Sequence, residues 1–302
     1  MQVFVFLAFL LIVVVIFPEY LTQRMLWFLA GSLVIVVFEV LDELNYIGKI
    51  KLKLSPAFRL ISHLTAIIAI YLGIQIPEFI IQNIIEVPQR SFVLFFSFWS
   101  VLCINAINWF DVYAQASVSS IGFLTIFLLI KFVVLKHYTN ISLDKGDVLL
   151  FVQNMSFVLF TLSLLATIVE YKPLALLRDV TMFFGFGIAY FSVVGVKITL
   201  LVVLSLVIFD ALRVGIHRKL VLKKSMMKDY RHLHYRLLRL GRNKEVRSFV
   251  WIFSLVMMTL MLLQTNRTNK IIIFSVMFIL FFGINAYLFW KKKLPCGFEE
   301  NK

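Results

Sequence analysis

The residues able to do chemistry in this chain gather in four places. At 39–43, Glu39, Asp42 and Glu43 stand at i, i+3 and i+4, which puts three carboxylates on one face of a helix. Carboxylates packed that closely repel unless a cation or a proton sits among them, so the spacing points to a Mg²⁺ site or a shared proton. The plainer reading is a helix end whose acids meet water and the nearby lysines. At 105–111, Asn105, Asn108 and Asp111 follow at i, i+3 and i+6 and share roughly one stripe. Amides can read a nucleobase or a sugar and a carboxylate can hold a hydroxyl or a metal, while ordinary interhelical hydrogen bonding would use the same groups. A third stretch, Asp179 to Gly195, carries glycines among aromatics. The fourth, Asp229-Tyr-Arg231-His232-Leu-His234-Tyr235-Arg236-Leu-Leu238, offers two histidines flanked by arginines, a cationic cradle for phosphate oxygens. His232 and His234 point the same way on a strand or loop and not on a helix.

The elements that must position these groups are membrane helices. Of 302 residues, 61% are hydrophobic and only 15% charged, and the mean hydropathy is +0.94, far from a soluble domain. About ten apolar runs are long enough to cross roughly 30 Å of hydrocarbon. They lie near 2–17, 24–41, 57–78, 91–109, 115–136, 148–170, 180–195, 197–213, 248–264 and 270–290. The seventh and eighth could also be one long helix broken around Gly195-Val196-Lys197. The sequence therefore predicts an all-α, polytopic membrane helix bundle, with residues 1–302 as a single domain. The first run lacks a basic n-region and a small-residue cleavage site, so it reads as a span and not a signal peptide.

The net charge of +14 is distributed unevenly. Twelve Lys or Arg fall between Arg213 and Arg247, which by the positive-inside rule puts a basic loop at 214–247 in the cytoplasm. Counting spans from it places 42–56, 110–114, 171–179 and the tail on the same side. Every candidate motif then shares the cytoplasmic face of a cytoplasmic membrane. The basic loop reads as lying against anionic headgroups and not as a nucleic-acid site. Cys103 and Cys296 make neither a metal pair nor a disulfide framework.

Taken in order, these motifs resemble the polyprenyl-phosphate N-acetylhexosamine-1-phosphate transferase family, bacterial membrane enzymes that load a phospho-sugar onto a lipid phosphate. Asp42 and Glu43, followed by Ser55-Pro56-Ala57-Phe58-Arg59, match its paired-acid phrase. Asn105, Asn108 and Asp111 match its Asn-x-x-Asn-x-hydrophobic-Asp phrase. Ile208-Phe209-Asp210 and the His232/His234 loop match its last motifs, in a form closer to the branch that transfers N-acetylglucosamine-1-phosphate. The resemblance covers roughly residues 1–265. It implies Mg²⁺-assisted attack of undecaprenyl phosphate on a UDP-sugar, releasing UMP, in envelope polysaccharide synthesis. It assigns catalytic roles to Asp42 and Asp111 and substrate binding to Asn105, Asn108, Arg231, His232, His234 and Arg236. The metal would rest on Asp42 and Asp111, with Glu39 and Glu43 as further ligands. Either a monomer or a homodimer is compatible with it.

The chain departs from the family pattern at specific positions. Glu39 stands where the family has glycine, Val112, Ala114 and Gln115 replace a glycine, an aspartate and a glycine, and Tyr235 replaces a histidine. Phe186 occupies the place of the magnesium-binding aspartate, and a phenyl ring cannot ligate a hard cation. Family members precede the first span with another helix and a basic loop, and this chain opens directly in that span. These departures raise a competing expectation, an inactive relative that binds polyprenyl phosphate or a nucleotide sugar or scaffolds partner enzymes. A transporter fits less well, because the polar groups gather at one face and not at the midplane.

Overall fold

A computed structural model describes residues 2–46, 56–74, 89–109, 115–137, 143–170, 181–192, 197–217, 243–264 and 267–290, with some side chains near helix ends left out. These segments form α1 (Gln2–Ile16), α2 (Gln23–Tyr46), α3 (Pro56–Ile74), α4 (Gln89–Trp109), α5 (Gln115–His137), α6 (Leu143–Glu170), α7 (Thr181–Phe191), α8 (Lys197–Val203), α9 (Ser205–His217), α10 (Asn243–Leu263) and α11 (Arg267–Trp290). A single 3-10 turn over Pro18–Tyr20 joins α1 to α2. Among the described residues there is no strand, so the chain is all-α there. Pro56 opens α3, the position where a missing N–H costs nothing.

Helix α7 is the centre of the bundle. Every described side chain from Met182 to Phe191 is buried, as expected of a helix apolar all round, and it packs on α2, α4, α5 and α6. Its closest approach is to α4. A methyl added at Gly185 would stand 2.7 Å from the Ile104 Cα and 2.9 Å from the Cys103 carbonyl oxygen, so the two backbones meet where only glycine fits. Farther along α7, Trp99 Nε1 donates to Ser192 Oγ at 2.8 Å. Moving from Gly185 to Ser192 thus moves from Ile104 back to Trp99, so α4 and α7 are antiparallel and the start of α7 lies beside the end of α4.

The other helices surround this pair. Helices α2 and α3 form one hairpin and α5 and α6 another, α1 covers α2 and α6, and α8 to α11 close the remaining side against α4 and α5. Helices α8 and α9 are separated at Leu204, yet Leu204 N donates to the Leu200 carbonyl at 2.8 Å and Ile208 N to the Leu204 carbonyl at 2.9 Å. The run 197–213 is therefore one continuous hydrogen-bonded path with a local irregularity. Helix α7 ends at Phe191 and α8 starts at Lys197, and Gly195-Val196 lie outside the described residues.

The interior is a large apolar core that also holds serines, and many large apolar side chains face outward as well. Large apolar residues face outward along α1, α2, α3, α10 and α11, among them Phe4 at 76%, Leu263 at 72% and Ile279 at 67% exposure. Ser32, Ser100, Ser119, Ser120, Ser156, Ser163, Ser192, Ser205 and Ser254 lie inside. Exposed hydroxyls turn back onto their own helix: Thr65, Thr161, Thr259 and Ser275 each donate to the carbonyl four residues earlier, at 2.9–3.0 Å. Two described stretches, Gln23–Leu41 and Asp147–Thr167, are long and apolar enough to cross a membrane; the other apolar stretches are 10–17 residues long.

Candidate functional site

The polar residues that the sequence singles out sit near the ends of α2, α4 and α9 and the start of α3. Glu39 lies seven residues before the end of α2 and is only 7% exposed. Asp42 and Glu43 continue the same helix, and Asn108 continues α4; their side chains lie outside the described residues. Asp111, Ala114, Arg231, His232, His234 and Arg236 fall wholly outside them.

Register places Glu39 beside an unforeseen partner helix. A methyl on Gly31 of α2 would come 3.1 Å from the Ala69 Cβ of α3. In the antiparallel hairpin, eight residues toward the end of α2 and eight toward the start of α3 lead to Glu39 and Ile61. Glu39 and His63 are thus level to within about 3 Å along the helix axes, at 1.5 Å per residue. His63 is 3% exposed, and its Nδ1 lies 3.3 Å from Asn105 Nδ2, which ties α3 to α4. Asn105 Nδ2 also donates to the Val101 carbonyl at 2.8 Å. Sequence reasoning passed over His63. The signal that could have found it is a histidine inside an otherwise apolar run, Leu60–Ala69, where an ionisable group needs a partner.

On α9, Asp210 is fully buried and bound to Arg213 at 2.8 Å, one turn later. The pair neutralises a carboxylate that would be costly alone in the interior. Helix α9, which carries this ion pair, packs on α4.

Phe186 stands where the resemblance would place an aspartate, and the structure shows what surrounds it. Its ring is fully buried, stacked on Phe28 with centroids 5.5 Å apart and an interplanar angle of 9°, and 6.1 Å from the Tyr190 ring. Gly31 makes room for it: a Cβ there would fall 2.5 Å from the Phe186 Cζ. The space beside α7 is therefore filled by hydrocarbon, in an aromatic cluster with Phe9, Phe183 and Phe191. Glu39 does not reach it, because eight residues separate it from Gly31, about 12 Å along the axis and longer than a glutamate side chain. Among the described residues no group of three or more His, Cys, Asp or Glu converges to hold a metal. The residues around 186 do not fit Mg²⁺, which requires oxygen ligands.

The described polar groups that remain are Glu39 of α2, His63 of α3 and Asn105 of α4, set apart along the helix axes from the aromatic cluster around Phe186. They can recognise polar ligand groups and offer no cation site at the α7 position. The chain matches no protein-family model and no curated protein.

Proposed function

We propose that this chain is a polytopic helix bundle of a bacterial cytoplasmic membrane that binds polyprenyl phosphate and a UDP-sugar at its cytoplasmic mouth. It is a relative of the N-acetylhexosamine-1-phosphate transferases in which the α7 metal position has been given over to packing. The observation that carries the reading is Phe186, stacked on Phe28 where a ligating carboxylate would have to stand. Losing that ligand removes the electrostatic help on which phosphoryl transfer depends and leaves ligand binding as what the polar residues can supply.

The membrane half of the reading is supported by the outward apolar side chains and by exposed hydroxyls satisfied within their own helices, which a hydrocarbon solvent demands and water does not. Serines on inward faces allow close helix approach and hydrogen bonding between helices. In this reading Arg231 and Arg236 grip phosphate oxygens in bidentate fashion, His232 and His234 donate to them, and Asn105 and Asn108 face the sugar nucleotide. A second reading, transfer of N-acetylglucosamine-1-phosphate from the UDP-sugar to undecaprenyl phosphate, is favoured by the retention of Asp42, Asn108, Asp111, His232 and His234. It needs an ion held by the carboxylates of 39–43 and Asp111, away from residue 186.

Thermal unfolding of the purified protein tests the binding reading. Undecaprenyl phosphate or UDP-N-acetylglucosamine at a hundred times its Kd stabilises the folded state by about 2.7 kcal/mol. Arg231→Ala with Arg236→Ala should abolish the lipid-phosphate shift. A protein whose unfolding ignores both ligands would end this reading.

A further inference from the structure

Helix α11 carries a cation on its protein-facing side. Its less exposed positions include Lys270, Ile273, Phe274, Met277 and Phe281, at helical spacing, and this stripe faces α8 and α9. Lys270 is half-buried, and its Nζ donates to Oγ1 of Thr199, a buried residue of α8, at 3.1 Å. An ammonium carries three hydrogens, and among the described residues Thr199 alone takes one; no carboxylate there pairs with Lys270. Arg267 opens the same helical turn, so Lys270 is the second cation at an end where the helix dipole favours an anion. This end of the bundle lies away from Glu39, His63 and Asn105. Helix α7 runs from beside Ile104 to beside Trp99, and α8 begins six residues after α7 ends. Helices α10 and α11 both pack on α8 and not along each other, and Val256, Leu263, Ile272, Val276 and Ile279 remain exposed on them.

We propose that the cleft between α10 and α11 docks one anionic phospholipid of the membrane, its phosphate held by Lys270 beside Thr199 and its acyl chains laid along the exposed apolar side chains of both helices. Charge complementarity names the occupant. Apolar walls alone would accept any acyl chain, but a lysine at their head with no carboxylate beside it calls for an anion that also carries hydrocarbon. A free phosphate makes no use of the walls. A second copy related by a two-fold axis along the membrane normal would bring its own Lys270 to the same depth, like charge to like charge. The site rests on the membrane half of the proposed function and goes beyond its ligand half, since this lipid binds at the end of the bundle opposite the polyprenyl phosphate.

Native mass spectrometry of the delipidated full chain in detergent tests it, with phosphatidylglycerol, phosphatidylcholine and inorganic phosphate as probes. The wild type should bind one phosphatidylglycerol about fivefold more tightly than phosphatidylcholine, and inorganic phosphate should not compete. Lys270→Gln and Lys270→Met should each bring phosphatidylglycerol to the level of phosphatidylcholine, while Lys270→Arg keeps the preference. Lys131→Gln, which removes an exposed cation from α5, should leave the preference unchanged. Unfolding of the lipid-free variants, expected to match the wild type, separates a lost site from a lost fold, and either neutral variant that folds carries the test. A preference that survives the loss of Lys270, or falls equally with Lys131→Gln, would make the attraction general and overturn the site. Competition by inorganic phosphate would reduce it to a plain anion site, and a lipid-free dimer that phosphatidylglycerol leaves intact and Ile279→Lys breaks would put a second copy on this surface; both overturn it. Protein released from membranes by alkaline carbonate would bring down the membrane reading and this site with it. Protein that stays in the membrane fraction and shows no lipid preference would remove this site alone.

Discussion

Replacing Phe186 with aspartate introduces the residue type that the family resemblance would place there, and the packing says that the change should fail. The ring is fully buried and stacked on Phe28 at 5.5 Å, with Gly31 shaped to receive its tip. Truncating a buried phenylalanine costs about 3–5 kcal/mol in transfer energy and cavity. The lost stacking adds about 0.5–1.5 kcal/mol. The new carboxyl, even protonated, adds at least about 2 kcal/mol for burial without a partner. The sum exceeds about 5 kcal/mol, which is comparable to the whole stability of many domains. Unfolding of the purified variant should therefore occur at much lower denaturant than that of the wild type, and Mg²⁺ should not rescue it. Phe186→Leu, which keeps an apolar side chain, should lose only about 1–2 kcal/mol. The reasoning is refuted if Phe186→Asp folds within about 1 kcal/mol of the wild type and gains stability with Mg²⁺ in a manner reversed by EDTA. Oxygen ligands would then converge on residue 186.

Other consequences can be checked with the same unfolding assays. Gly185→Ala puts a methyl 2.7 Å from the Ile104 Cα, against backbone that cannot rotate away, and should cost about 1–3 kcal/mol or more. Asp210→Ala removes the 2.8 Å ion pair to Arg213 and should cost about 3–5 kcal/mol, whereas Asp210→Leu with Arg213→Met should recover most of it; a double-mutant cycle reads the coupling. Ile279→Lys, at the middle of α11 and 67% exposed, would change stability by less than about 0.5 kcal/mol on a water-facing surface. Facing lipid, it should cost about 2.5–3.5 kcal/mol and reduce the yield of membrane-integrated protein.

Apolar run length made most helices legible, because stretches such as Phe9–Phe17, nine consecutive Phe, Leu, Ile and Val, admit little else. The irregularity at Leu204 was not legible, since no glycine or proline marks it. Phe186 could be read as a departure from a pattern, but its consequence could not: that Phe28 and Gly31, more than 150 residues earlier, have accommodated the ring is a fact of packing. The i, i+3, i+4 spacing that grouped Glu39 with Asp42 and Glu43 said nothing about depth, and depth is what keeps Glu39 from the α7 position. His63 and Asn105 meet across 42 residues of sequence, and no local periodicity encodes a tertiary pair of that kind.

The most direct test of the account is UMP release by the detergent-purified protein with UDP-N-acetylglucosamine, undecaprenyl phosphate and Mg²⁺, run beside Asp111→Asn and an EDTA control. With a buried phenyl ring at 186, where the proposed kinship would place a metal ligand, both ligands should bind and UMP should stay at the level of the EDTA control. Lipid- and Mg²⁺-dependent UMP that disappears in Asp111→Asn would contradict this and show that the carboxylates of the mouth hold a working ion away from α7.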